Sequence, residues 1–109
     1  MSRVFVVEQP PGARPYDLTD AERFGIIVKV SQPEDGGFYG REAIARISAS
    51  MASFTERDYL IAGIGHPLSV AWASAIAARK SGGRLKLLYW NRKKSCYIPV
   101  CGDIFEGVS

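Results

Sequence analysis

The chain has 109 residues, 47% of them hydrophobic and 23% charged, with a formal net charge of +3. A chain of this size holds one core, so residues 1–109 are expected to form a single domain, and the apolar share excludes an intrinsically disordered protein. The longest apolar stretch, Leu68 to Ala78, is broken by Ser69 and Ser74 and falls short of the ~20 residues that cross a bilayer, so no membrane partner is expected.

Arg3-Val4-Phe5-Val6-Val7 is almost continuously apolar and β-branched, which predicts a strand buried on both faces and closed by Pro10-Pro11-Gly12. Only one basic residue precedes that run, which is too short for a secretory signal, and a cytoplasmic protein is expected. Thr19-Asp20-Ala21-Glu22 reads as a capping box, with the Thr19 hydroxyl accepting from the Glu22 backbone, and predicts a short helix that Gly25 stops. Gly25 to Val30 is a second strand, ended by turn residues Pro33-Glu34-Asp35-Gly36-Gly37.

From Arg41 the period changes. Ile44, Ile47, Met51 and Phe54 form one stripe of an amphipathic helix, with Arg46, Ser50 and Ser53 outside it and Glu42 set to pair with Arg46. Tyr59 to Ile64 reads as a buried strand, and Pro67 suits the first position of a helix running to Lys80, with His66 at its cap. That helix is apolar nearly all round, which calls for cover on more than its sheet side, either from the preceding helix or from a second copy of the chain. Ser81-Gly82-Gly83 ends it. Leu85 to Trp90 and Cys96 to Val100 are two further strands joined by the polar turn Asn91-Arg92-Lys93-Lys94, and Pro99 confines the last to a sheet edge.

Strands alternating with helices imply parallel pairing through crossovers. The predicted fold is a small three-layer, Rossmann-like α/β sandwich, mostly parallel, with strand order 2-1-3-4-5 and the last strand antiparallel at the edge.

Ligands of such sheets collect beyond the carboxyl ends of the strands where the order reverses, which here is a crevice between strands one and three. Glu8, Gln9, Gly63, Gly65, His66 and Ser69 would border it, beside the positive end of the helix that Pro67 starts. The dinucleotide fingerprint is incomplete, because Leu68 stands where its third glycine belongs and Asn91 is the nearest polar group to its ribose-binding acid. A small anion or nucleotide at this corner is one alternative reading, against a purely structural turn. Neither a catalytic triad nor a carboxylate pair is legible. One histidine and two cysteines without a C-x-x-C pairing do not make a zinc site, so neither metal nor cofactor is expected.

Positive charge gathers late in the chain. Arg84, Lys86, Arg92, Lys93 and Lys94 are interleaved with Tyr89, Trp90 and Tyr97, the composition of a surface that stacks and neutralises single-stranded nucleic acid. With Trp72, the same side chains are also favoured anchors of a protein interface.

The opening VFVVEQP, the central DYL followed by GIGHP, the alanine-rich helix and the ending GRLKLLYWNRKKSCYIPV resemble a family of small uncharacterised proteins encoded by bacteriophages and prophages. The resemblance implies a Gly-Asp-Pro corner and an aspartate after the tryptophan, where this chain has His66 and Asn91. It assigns no reaction and no catalytic residues. It does imply a setting in which small proteins act by binding a host component, including defence systems. The expected function is therefore a non-enzymatic phage accessory protein, homodimeric, that binds a host protein or protein complex; a nucleic-acid-binding module is the second expectation.

Overall fold

The computed structural model of the chain describes residues 2–7, 16–31 and 40–108. The elements run β1 (Arg3–Val7), a 3-10 helix (Asp20–Phe24), β2 (Ile26–Val30), α1 (Gly40–Ser50), β3 (Tyr59–Ile61), α2 (Pro67–Lys80), β4 (Arg84–Asn91), β5 (Cys96–Asp103) and β6 (Gly107–Val108). They build one sheet in the order β2-β1-β3-β4-β5-β6. Pairing is parallel from β2 to β4 and antiparallel from β4 to β6. The class, the order of the first five strands and the antiparallel β5 are as expected. The two-residue β6 is an addition: it pairs with Gly102 and Asp103 and covers that end of the expected edge strand. The predicted turns at residues 10–12 and 33–37 lie outside the described residues.

The continuous apolar run of β1 serves two cores. Phe5 and Val7 join Val30, Leu60, Ile47, Met51, Phe54, Ala73 and Ala77 on the face that carries both helices. Val4 and Val6 join Ile61, Ile64, Leu88 and Tyr97 on the opposite face, where the 3-10 helix contributes buried Ala21 and half-buried Phe24 and the segment before it adds Leu18. Each fully buried side chain of the size of Phe5 or Leu60 contributes about 1.5–3 kcal/mol. Phe5 meets Phe54 edge-on at 5.1 Å between centroids.

The capping box is not formed. Thr19 itself has helical angles (φ −55°, ψ −46°) and its side chain makes no cap. Asp17 Oδ1 takes the Thr19 N–H at 2.9 Å, and Asp20 is drawn to the distant Tyr97, whose N–H it accepts at 2.6 Å. A five-residue 3-10 helix, Asp20–Phe24, is the result, in place of the predicted helix with a capping box.

The helix starting at Pro67 is as predicted. His66 is its N-cap, with Nδ1 accepting from the Leu68 N–H at 3.1 Å. Gly83 N–H bonds to the Ala78 carbonyl at 2.7 Å at its other end. Cover comes from the sheet and from α1, and stops there: Leu68 and Trp72 (41% exposed) lie on an outer strip with Ala71 and Ala75. An alanine-rich helix can leave such a strip open, since alanine favours helix on its own account and adds little apolar area.

Asp58 places β3 against β1. Its side chain is 1% exposed. It accepts from the Arg3 backbone N–H at 2.9 Å, from Arg3 Nη2 at 2.9 Å and from the Thr55 N–H at 2.8 Å. Weaker contacts come from Arg3 Nε at 3.4 Å and the Thr55 hydroxyl at 3.2 Å. The Arg3 guanidinium also donates to Ser53, at its hydroxyl and its carbonyl. Burial alone would raise the Asp58 pKa, but the hydrogen bonds from Arg3 and Thr55 and the Arg3 charge hold it below the ordinary aspartate value.

Candidate functional site

β3 and β4 end side by side, and β5 starts where β4 has turned back. At that end of the sheet a cleft of about 850 Å³ opens. Ala62, Gly63 and Ile64 form its β3 side, after the Ala62 N–H has made a last bond to the Leu88 carbonyl at 2.8 Å. Tyr89, Trp90 and Arg92 come from the end of β4 and its turn. Tyr16 and Asp17 approach from the segment before the 3-10 helix, and Tyr97 of β5 closes the floor.

Register explains the aromatic wall. Trp90 is the partner of Tyr97 across the β4–β5 ladder, and their rings meet edge-on at 5.1 Å between centroids. Tyr97 is 2% exposed, whereas Trp90 keeps 44% of its surface open and Tyr16 53%. Two acidic groups bear on the floor. Burial first, then the charges of Asp17 and Asp20 and the neighbouring Tyr16, push the Tyr97 phenol above its ordinary pKa and hold it as a neutral hydroxyl. Hydrogen bonds from the Thr19 side chain and backbone lower the Asp17 pKa and keep it a carboxylate. Arg23 donates to the Tyr97 carbonyl at 2.7 Å, and its guanidinium lies 4.1 Å from the Phe24 ring centroid, which fixes the 3-10 helix beside β5.

The cleft merges two sets of residues that the sequence presents separately. From the expected strand-three corner it takes Gly63; from the basic and aromatic hairpin it takes Tyr89, Trp90, Arg92 and Tyr97. Lys93 and Lys94 stand exposed on the adjoining turn, which Asn91 Oδ1 closes by accepting from the Lys94 N–H at 3.0 Å. The other residues of those sets are elsewhere. Arg84 pairs with Glu56 at 3.1 Å at the far end of β4. Lys86 lies over the Tyr59 ring at 5.3 Å, and Trp72 is on the outside of α2. Glu8 and Gln9 lie outside the described residues.

The expected crevice between β1 and β3 is narrowed at Gly65. Gly65 has φ +108°, and a Cβ there would stand 2.5 Å from the Val7 side chain, so its backbone packs directly on β1. Gly63 (φ +97°) has open space around it instead. His66 occupies itself with the helix end, and Ser69 is fully buried, its hydroxyl without a hydrogen-bond partner among the described residues. Tyr16 and Asp17 are the cleft residues that sequence reasoning missed. Their only signal is local: an aromatic residue followed by an Asx turn, Asp17 to Thr19, on the approach to a strand that pairs with the sheet's centre.

Fold and cleft together define a small α/β protein with a mostly parallel sheet and an aromatic pocket of mixed charge at its strand ends. A family model described as "Phage Pam3 gp32-like protein" matches residues 2–104, and the chain belongs to that family. The likeness to small phage-encoded proteins that the sequence suggests is thereby borne out. No curated protein and no solved structure matches the chain. Among the described residues, no helix is long and apolar enough to cross a membrane.

Proposed function

We propose that this phage protein acts without chemistry, by holding a macromolecule of the host, and that the macromolecule its cleft fits best is a single strand of nucleic acid. The observation that carries the reading is the open aromatic wall of Tyr16, Tyr89 and Trp90 beside the cationic run Arg92 to Lys94. Every base has a π-face, and stacking on such side chains is worth about 1–3 kcal/mol per base whatever the sequence. The adjoining cations supply the charge that follows a phosphate backbone. The protein would do this in the cytoplasm of an infected or lysogenic bacterium. The test is titration with a twelve-nucleotide thymine strand at several salt concentrations. Three cations on a single strand give a slope of log affinity against log salt of about −2, which Lys93→Glu with Lys94→Glu should flatten. Absence of binding at low salt ends the reading and leaves a host protein docked on the same aromatic and arginine anchors, to be tested by capture from a nuclease-treated lysate.

A second reading rests on the outer strip of α2. Leu68 and Trp72 are large apolar side chains left open there, and a second copy of the chain that covers them gives the homodimer expected from the sequence. Light scattering at tens of micromolar decides it: a monodisperse monomer removes the dimer, and a dimer that Trp72→Glu dissociates sustains it.

A further inference from the structure

Asp17 and Arg92 face the same aromatic cleft with opposite charges, a pairing that plain strand binding does not use. A carboxylate offers hydrogen-bond acceptors only. On the Watson–Crick edge, guanine presents two adjacent donors, N1–H and the N2 amine. Adenine and cytosine each set a donor beside an acceptor, and thymine flanks its one donor with two acceptors. Only guanine meets both oxygens of a carboxylate without repulsion, and that edge is free in single strands and in free nucleotides. Asp17 is prepared for it: Oδ1 accepts from the Thr19 N–H at 2.9 Å and the Thr19 side chain bonds to the same carboxylate, which orients the group and uses two of the about four lone-pair sites a carboxylate offers. Gly63, with nothing within 4 Å of where a Cβ would stand, lets a flat ring approach the β3 loop.

We infer that the cleft is a guanine pocket, in which Asp17 reads the base edge, Trp90 and its neighbouring tyrosines stack on the ring, and Arg92 meets the phosphate. This deepens the proposed function and rests on it.

The experiment follows Trp90 fluorescence in a Trp72→Phe background, which leaves Trp90 as the reporter. The ligands are guanosine, inosine and adenosine monophosphates, and thymine pentamers carrying guanine or adenine at the centre. Guanine is expected to bind about tenfold more tightly than adenine, with inosine between them because it lacks the N2 amine. Asp17→Asn keeps the acceptor for Thr19, so the turn survives, while an amide replaces one carboxylate oxygen; it should abolish the preference, read as the ratio of affinities for the guanine- and adenine-centred pentamers. Equal affinity of guanosine monophosphate and the guanine pentamer identifies a free nucleotide as the ligand, and tighter binding of the pentamer identifies a strand. Strands that bind with no base preference, or a preference that survives Asp17→Asn, overturn the guanine pocket and leave strand binding standing. If no nucleotide and no strand binds, both readings fall.

Discussion

Replacing Asp58 tests the account of how β3 is held against β1. Asp58→Ala leaves two backbone N–H groups, on Arg3 and Thr55, and most of a guanidinium facing a void where a carboxylate accepted from them. Removing one partner of a buried ion pair costs about 3–5 kcal/mol. The Arg3 side chain is 30% exposed and regains water, which favours the lower end, about 3 kcal/mol. Asp58→Asn preserves the volume but turns an amide donor toward a site that holds only donors, at about 2 kcal/mol. Urea unfolding at pH 7 measures both, with the slope m unchanged, and the alanine variant should melt more than about 10 °C lower. The sign with pH follows from the lowered pKa. A carboxylate whose folded pKa lies below its unfolded value contributes stability that is complete above the unfolded value, near 3.9, and is lost as pH falls through the folded one. The gap between wild type and Asp58→Ala should therefore close in the acid range below about pH 4. An Asp58→Asn variant within about 0.5 kcal/mol of wild type, as for an ordinary surface change, refutes the reasoning. So does a gap that stays constant down to pH 2.

Other substitutions separate structural from ligand-facing roles at the corner. Gly65→Ala drives a Cβ into Val7 as well as straining a φ of +108°, and should cost more than Gly63→Ala, which meets open space and carries the strain alone, about 1–2 kcal/mol; paired melting curves check the order. His66→Ala should cost about 1 kcal/mol through the lost cap, most of which His66→Asn restores in denaturant titration. Ser69→Ala removes a buried hydroxyl that has no partner among the described residues, and should be neutral or stabilising by up to about 1 kcal/mol on thermal unfolding. Trp90→Ala should weaken single-strand binding by about 1–3 kcal/mol, roughly 5- to 150-fold, with no matching loss of stability in urea.

Local chemistry was legible wherever a residue's role is settled by its near neighbours. Pro67 starts α2, His66 caps it, Glu42 pairs with Arg46 at 3.1 Å, and three of the four stripe residues, Ile47, Met51 and Phe54, enter the core, although α1 ends at Ser50 and Ala43 rather than Ile44 is buried in its first turn. The strand order also followed, because alternating elements and a tight final turn leave few arrangements. What escaped depends on partners remote in the chain. Thr19 looks like a cap until Asp20 is taken by Tyr97, 77 positions away. Asp58 looks like one more loop acid until Arg3, 55 positions away, surrounds it. The cleft joins the hairpin residues Tyr89, Trp90, Arg92 and Tyr97, which the sequence does group, to Tyr16, Asp17 and residues 62–64, which nothing local links to them. Apolar character misleads in the opposite sense on α2, where alanine serves the helix rather than the core.

The position of β1 has a kinetic consequence. It sits between β2 and β3, and both of those pairings are parallel, so each waits on the closure of a long loop. β4 and β5 zip across a tight turn, an event of about 1–10 microseconds for a hairpin. During refolding the hairpin that carries Trp90 should therefore be in place while Val4 to Val7 is still unpaired. That interval, rather than the finished molecule, is when this β-branched segment is open to self-association, and refolding yield should fall as protein concentration rises even under conditions where the native state is stable.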